Sequence, residues 1–358
     1  MAPTASGWAL LIAAGAANAT FGLPMKFVRR WQWENTWIAW TLLALVILPV
    51  GFAGVFVPSW LSIYSGTALH VAAIVCLLGV GWGLAQVLFG KAIDSIGIGL
   101  AFSIVLGISA AGGTLLPLLT LQAGAATPGL TLRIVVGLLL VIFGVAVCTI
   151  AGRRREVAQS ARITAGHSFT PGLIMALVSG VLASFMNVGL SFAGPLLARA
   201  SAQGLGPTRS MFAVWLPLLL GGALPNLLYC TLLLHRRKTA SLFRESGQFR
   251  NLGLATLMAL LWFLSTVLYG VATQWLGEWG VVLGWPAFMS VIVITAGFIG
   301  IASGEWMHSG QTPIFLQIAG IFLLILAIIA FSLAHDALAP SQQAHALSQS
   351  ILPGMYVR

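Results

Sequence analysis

The chain has 358 residues, of which 59% are hydrophobic and only 7% charged, with a formal net charge of +10. A soluble domain carries about a quarter charged residues, so this chain cannot cover itself with a water-compatible surface and belongs in a bilayer. Its excess of Lys and Arg does not point to nucleic acid, because the bases cluster in short loops between apolar runs, where they set membrane orientation.

A hydrocarbon core of about 30 Å needs about 20 residues of helix. In chain order the apolar runs predict spans at about 8–28, 37–57, 69–90, 98–121, 131–151, 171–194, 211–234, 251–275, 281–302 and 313–334. The first is a retained helix interrupted near Gly22 and Pro24, since residues 1–7 hold no Lys or Arg and so lack the basic region of a signal peptide. Cys76, Cys148 and Cys230 each sit inside an apolar run, which predicts free thiols and no disulfide. The hydrophilic breaks fall at 152–170 and 235–250. From His335 onward the chain is polar and predicted to be loose, with Ile351–Val357 able to rest on the membrane surface.

The bases separate by side. Lys26, Arg29, Arg30, Lys91, Arg153, Arg154, Arg155, Arg162, Arg236, Arg237, Lys238, Arg244 and Arg250 fall on one side, against Arg133, Arg199, Arg209 and Arg358 on the other. Positive loops stay in the cytoplasm, so both termini are predicted to face outward. The run Arg153-Arg154-Arg155 is a topology anchor that can also touch anionic lipid headgroups.

A pattern W-x6-[FY]-G-x-A-x3-[IL]-G occurs twice, from Trp82 to Gly97 and from Trp262 to Gly277. The copies fall on spans three and eight, so the repeat unit is five helices and the second half enters the membrane inverted. The expected architecture is all-α and integral to the membrane, with ten transmembrane helices as two inverted five-helix repeats: 1–151, a basic cytoplasmic linker 152–170, then 171–334, with a tail 335–358. Inverted repeats of this kind place a substrate site near the midplane and move by alternating access.

Ionisable groups at membrane depth are usually functional, but here Glu34, Asp94, Glu156, Glu245, Glu278, Glu305 and Asp336 all lie at span edges or in loops, as do the histidines. That speaks against an enzyme, a metal site and a cofactor, and against a strongly cationic substrate. The groups at depth are neutral and polar: Asn18 on span one, Gln86 one turn after Trp82, Asn187 and Ser191 with Ser184 on span six, Asn226 on span seven, and Ser265 just after Trp262. Amides and hydroxyls beside indole rings suit a neutral polyol, whose hydroxyls take the hydrogen bonds while its C–H face stacks on the ring. The plainer alternative for each is a hydrogen bond between helices. Trp285 joins the candidate substrate-binding set, and Glu34 and Glu305 are candidates for gating or coupling.

Four stretches carry a family likeness: Trp31-Gln32-Trp33-Glu34 with Trp37; Gly221-Gly222-Ala223 with Asn226-Leu227 and Cys230; Trp262 with Tyr269 and Trp285; and Gly304-Glu305-Trp306. On these the chain resembles the L-rhamnose–proton symporters, within the drug/metabolite transporter superfamily, over nearly its whole length. The resemblance implies the drug/metabolite transporter fold, an inner-membrane location, and uptake of a neutral sugar coupled to protons. The family pattern carries a Gln where this chain has Ser265, an acid where it has Val281 and a His near Phe288. Those departures leave both proton coupling and rhamnose itself open. The leading expectation is a secondary transporter importing L-rhamnose or a related deoxyhexose or pentose. The alternatives are an uncoupled facilitator or exporter of another small polar metabolite, and a receptor or structural bundle that moves nothing. The oligomeric state is left open.

Overall fold

The computed structural model describes residues 3–57, 60–122, 124–159, 169–307 and 309–338. Arg162 and the expected surface segment Ile351–Val357 lie outside them, as does most of the expected tail.

Among the described residues ten helices are long and apolar enough to cross a membrane, and there is no strand. They are α1 (Thr4–Phe27), α2 (Trp33–Phe56), α3 (Ala68–Ile96), α4 (Leu100–Thr120), α5 (Pro128–Arg155), α6 (Phe169–Ala202), α7 (Pro207–Arg237), α8 (Gln248–Trp275), α9 (Gly277–Ala302) and α10 (Gln311–Asp336). The protein is therefore an all-α, multi-span membrane protein. All ten predicted spans correspond to these helices. Several helices outrun the expected ends, because hydropathy reads the thickness of the hydrocarbon, whereas a helix continues while its backbone bonds are satisfied. Thus α3 runs past Lys91 and Asp94 to Ile96 and stops at Gly97, whose φ of +84° only glycine adopts without strain. In the same way α2 starts at Trp33 because Gln32 and Asn35 form a capping box.

The breaks have local causes. The α-helical part of α1 ends at Thr20, and a 3₁₀ turn over Leu23–Phe27 follows with Pro24 near its start. In α2 the segment Leu42–Ile47 is π-helical, just before Pro49, which has no N–H to donate back. Turns at Ser184 and Ala193 divide α6 into Phe169–Ala183, Phe185–Phe192 and Gly194–Ala202.

Small residues let backbones approach, the usual way to pack helices when lipid offers no hydrophobic contrast. The α3–α7 crossing is built on Gly79, Gly83, Gly221 and Gly222: a Cβ at Gly79 would strike the Leu218 carbonyl and one at Gly83 the Gly222 carbonyl. Asn226 of α7 seals it, donating to the carbonyls of Gly83 (3.2 Å) and Gly222 (3.0 Å) and accepting from Trp37 Nε1 of α2 (2.9 Å). The α5–α10 contact is made the same way, with Gly137 under Phe331, Gly144 under Leu324 and Gly320 under Cys148.

The remaining packing runs α1 on α8 and α9, α6 on α3 and α4, α4 on α5 and α9, α9 on α10, and α2 on α7 and α8. Further contacts join α3 to α4, α8 to α9 and α6 to α7, and α7 packs on α8 whereas α2 has no comparable packing on α3.

Candidate functional site

The gap between α2 and α3 belongs to a central cavity of about 490 Å³, within the range of small-molecule sites. One wall comes from α1, α8 and α9, the other from α3, α4 and α6, and α2 closes the third side. Six tryptophans line it: Trp33, Trp37, Trp40, Trp82, Trp262 and Trp285. None of its lining residues is Asp, Glu, His, Lys or Arg.

Five of these indoles form a continuous series. Trp33 stacks on Trp37 (centroids 5.1 Å apart, planes 18°), Trp37 meets Trp40 at 4.6 Å, Trp40 is edge-on to Trp262 at 5.4 Å, and Trp262 stacks on Trp82 at 5.6 Å and 27°. Positions 33, 37 and 40 share one face of α2 at i, i+4 and i+7 spacing. That spacing is visible in the sequence, but a predicted start at residue 37 leaves Trp33 outside the helix. The two tryptophans of the repeated pattern, Trp82 and Trp262, meet face to face.

Several sequence-predicted residues converge here. Asn18 lines the cavity and donates from Nδ2 to Ser265 Oγ at 3.1 Å. Gln86 lines it too and has no hydrogen-bond partner among the described residues. Trp82, Trp262 and Trp285 line its inner end, with Trp285 Nε1 fixed on the Ser109 carbonyl at 2.9 Å.

Others do not reach it. Asn187 is fully buried outside the lining; its Nδ2 donates to the carbonyls of Gly113 (2.7 Å) and Val281 (3.0 Å), and its Oδ1 accepts from the Tyr269 hydroxyl (2.5 Å). With both amide hydrogens and the oxygen engaged, it braces the cavity-lining Tyr269 from behind. The hydroxyls of Ser184 and Ser191 return to their own helix, on the carbonyls of Val181 and Val188. Ser265 lies behind Asn18 and outside the lining.

The cavity reaches the end of the bundle that carries Lys26, Arg29, Arg30 and Lys91: its lining includes Gly22 near the end of α1, Trp33 at the start of α2, and Gly90 and Ile93 late in α3. At the other end Phe52, Phe56, Phe212 and Phe263 pack with centroid separations of 5.2–6.4 Å. Polar ties add to that seal. The Tyr64 hydroxyl donates to the Ala213 carbonyl at 2.8 Å, Arg199 to the Ser65 carbonyl at 2.6 Å, and Gln122 to the Glu278 carbonyl at 3.0 Å.

Glu34 and Glu305 sit beside the open end, outside the cavity lining. Glu34 is wholly buried, accepting from Arg237 (3.1 Å) and from the Thr239 hydroxyl (2.8 Å). Around it the α1–α2 and α7–α8 connections are stitched together: Asn251 exchanges two bonds with the Arg29 backbone, Asn35 donates to the Thr239 carbonyl, and Trp31 to that of Leu242. Glu305 pairs with Lys26 (2.6 Å) and Arg155 (2.8 Å). The Lys26 hydrogen bond is the main cause holding its carboxyl below the usual range; partial burial opposes this, and the charges of Lys26 and Arg155 add to it.

Ten apolar helices, seven of which line a neutral, aromatic, solute-sized cavity, define a polytopic membrane protein. The sequence comparisons specify which: residues 5–337 match the family of the L-rhamnose-proton symport protein, and the chain belongs to that family. It is 26% identical over 334 residues to the L-rhamnose-proton symporter of Escherichia coli (strain K12 / DH10B), covering 89% of this chain and 94% of that protein. Proteins of the same description from Shigella dysenteriae serotype 1 and Shigella boydii serotype 18 match at the same identity and coverage.

Proposed function

We propose that the protein imports a neutral sugar, L-rhamnose or a related deoxyhexose or pentose, by alternating access. The carrying observation is the neutral cavity floored by the stacked Trp82–Trp262 pair, with the Asn18 and Gln86 amides on its walls. Indole faces suit the C–H face of a pyranose, and neutral amides its hydroxyls. Family membership and the names of the relatives support the same reading.

The inverted-repeat reading, with units 1–151 and 171–334, gains support from the packing. Exchanging each helix for the one five places away turns α1–α8 into α6–α3, α1–α9 into α6–α4, α2–α8 into α7–α3 and α4–α5 into α9–α10, all pairs that occur. Some pairs have no counterpart, among them α6–α7, α5–α9 and α7–α8; the counterpart of the last, α2–α3, is parted by the cavity. On this reading the conformation is open to one side only. The bases at that end, by the positive-inside rule, make it cytoplasmic and both termini periplasmic.

For proton coupling Glu34 is the better carrier of the two edge carboxylates. It is fully buried on α2, whose following turns carry Trp37 and Trp40 into the cavity. Glu305 is held ionised by Lys26 and Arg155 and serves as a clamp. A second reading, an uncoupled facilitator, is favoured by the absence of any acid or His among the lining residues.

Uptake of labelled L-rhamnose into proteoliposomes, with and without an imposed proton gradient, tests both. Saturable uptake accelerated by the gradient in wild type but not in Glu34→Gln supports the coupled reading. Saturable uptake indifferent to the gradient supports the facilitator. No saturable flux of any deoxyhexose or pentose refutes the sugar assignment.

A further inference from the structure

Burying a polar group without a partner is costly, and each such group in a native fold calls for an explanation. Among the described residues nine buried side-chain polar atoms have no hydrogen-bond partner: Trp8 Nε1, Trp40 Nε1, Thr41 Oγ1, Ser109 Oγ, Thr114 Oγ1, Arg155 Nε, Trp215 Nε1, Trp306 Nε1 and His335 Nδ1. Only Trp40 and Ser109 belong to residues lining the central cavity, one on α2 and the other on α4.

Ser109, like Thr41 and Thr114, departs from a common habit of helical hydroxyls. Ser95, Thr120, Thr256, Thr266 and Ser290 each donate to the carbonyl four residues back, the ordinary fate of a hydroxyl inside a helix. Ser109 makes no such bond although it is fully buried. Its own carbonyl is held by Trp285 Nε1 at 2.9 Å, which ties this turn of α4 to α9 and fixes the residue in place. Trp40 is likewise closely packed. It is fully buried within the indole series, with Trp37 at 4.6 Å, Phe21 at 5.8 Å and Trp262 edge-on at 5.4 Å. Its ring is well packed, yet its N–H has no oxygen to meet.

We propose that Trp40 Nε1–H and Ser109 Oγ are substrate ligands: on closure around the sugar the indole donates to one hydroxyl oxygen, and the serine hydroxyl bonds a second from the opposite side. The assignment rests on the sugar-transport reading. It adds to the cavity a donor-only group and a group that both donates and accepts, beside the Asn18 and Gln86 amides. Neither group is satisfied by another protein group, so no side chain or carbonyl competes with the sugar for it. A site that holds unpaired polar groups for a particular hydroxyl discriminates against analogues lacking it.

The test uses the full-length protein in nanodiscs, with L-rhamnose and its monodeoxy analogues as probes. Trp40→Phe keeps a ring and removes the N–H; Ser109→Ala removes only the hydroxyl. Each variant is expected to bind L-rhamnose about five-fold more weakly, the size of one net hydrogen bond. The melting temperature of the sugar-free variant is expected to stay level or rise, because an orphaned polar group has gone. For each variant one monodeoxy analogue should already bind wild type about five-fold more weakly and show no further loss on mutation. That pairing names the hydroxyl each residue holds.

If the sugar-free melting temperature falls while L-rhamnose affinity is unchanged, the two groups are structural and the proposal is overturned. That readout on the empty protein is independent of whether the substrate is correctly assigned. Additive losses with every analogue also overturn it, since neither residue would then touch a hydroxyl. A wild type that binds no sugar of the panel refutes the sugar reading itself, and the ligand assignment with it.

Discussion

Gly90 and Gly270 hold matching places in the repeated pattern but opposite places in the packing, and the proposed alternating access makes a signed prediction of that difference. A Cβ at Gly90 meets nothing within 4 Å, whereas one at Gly270 would collide with the Met211 methyl and lie 2.9 and 3.0 Å from Trp215 Cζ2 and Nε1. Replacing a mid-helix Gly by Ala gains about 1 kcal/mol of helix propensity, while overfilling a packed contact costs about 1–3 kcal/mol. The propensity gain is common to both states of the proposed cycle and shifts neither, so Gly90→Ala should be accommodated in the present arrangement. It should penalise the opposite, outward-open arrangement by about 1–3 kcal/mol, since there α2 must close on α3 as α7 now closes on α8. Gly270→Ala should do the reverse. A shift of 1.4 kcal/mol is ten-fold in population.

The assay is labelling of a cysteine placed at Phe89 by an impermeant maleimide from the cytoplasmic face, with the native cysteines replaced. Gly90→Ala should leave labelling at or above the parent level and slow uptake. Gly270→Ala should cut labelling several-fold. If both substitutions move labelling in the same direction, or Gly270→Ala lowers the melting temperature with labelling unchanged, the two ends do not exchange packing and the reasoning fails.

Trp262→Ala removes the stack on Trp82 and the edge contact with Trp40; KM for the sugar should rise at least about ten-fold, with Trp262→Phe intermediate because one aromatic face is worth roughly 0.5–1.5 kcal/mol beyond its area. Asn187→Ala and Gln86→Ala should separate bracing from binding. The first strands Tyr269 and two carbonyls and should lower stability by about 1–3 kcal/mol, whereas the second should leave the melting temperature in place and raise KM. Glu305→Gln tests the clamp. Its carboxyl is held below the usual range by Lys26, so its contribution is present above the ordinary Glu pKa of about 4.3 and disappears as pH falls through the lowered value. At pH 7 the variant should lose no more than about 1 kcal/mol, given the partial exposure of the pair, with the pH profile of uptake unaltered between about pH 5.5 and 8; a displaced profile would make Glu305 the proton carrier after all.

The ten helices were legible because a chain in lipid must satisfy every backbone group within apolar runs of fixed length, and hydropathy measures just that. The helix ends were less so, as Lys91 and Asp94 show: charged residues end a hydrophobic run without ending a helix. The site was half legible. Trp82, Trp262, Trp285, Asn18 and Gln86 stood out as polar or indole groups at depth, and the structure brings all five to one cavity. Asn187 and Ser191 stood out equally, but Asn187 bonds to other helices and Ser191 to its own, since sequence carries no helix rotation, and a polar stripe looks the same whether it faces solute or a backbone carbonyl. Ser109 could not be picked out, and Trp40 only by its helical spacing with Trp33 and Trp37. What distinguishes them is the lack of a partner, which is a property of the assembled bundle.

The α5–α10 pair contributes no residue to the cavity. Its two helices are seated on each other through Gly137, Gly144 and Gly320, while α5 leans on α4 and α10 on α9, one from each wall. In the proposed rocking motion it is an axle that carries both jaws and touches no cargo. On that proposal, loosening the axle would alter how fast the jaws swing and how often they miss their stroke, with the grip on the solute left as it was, so turnover and affinity would be set by different parts of the same bundle.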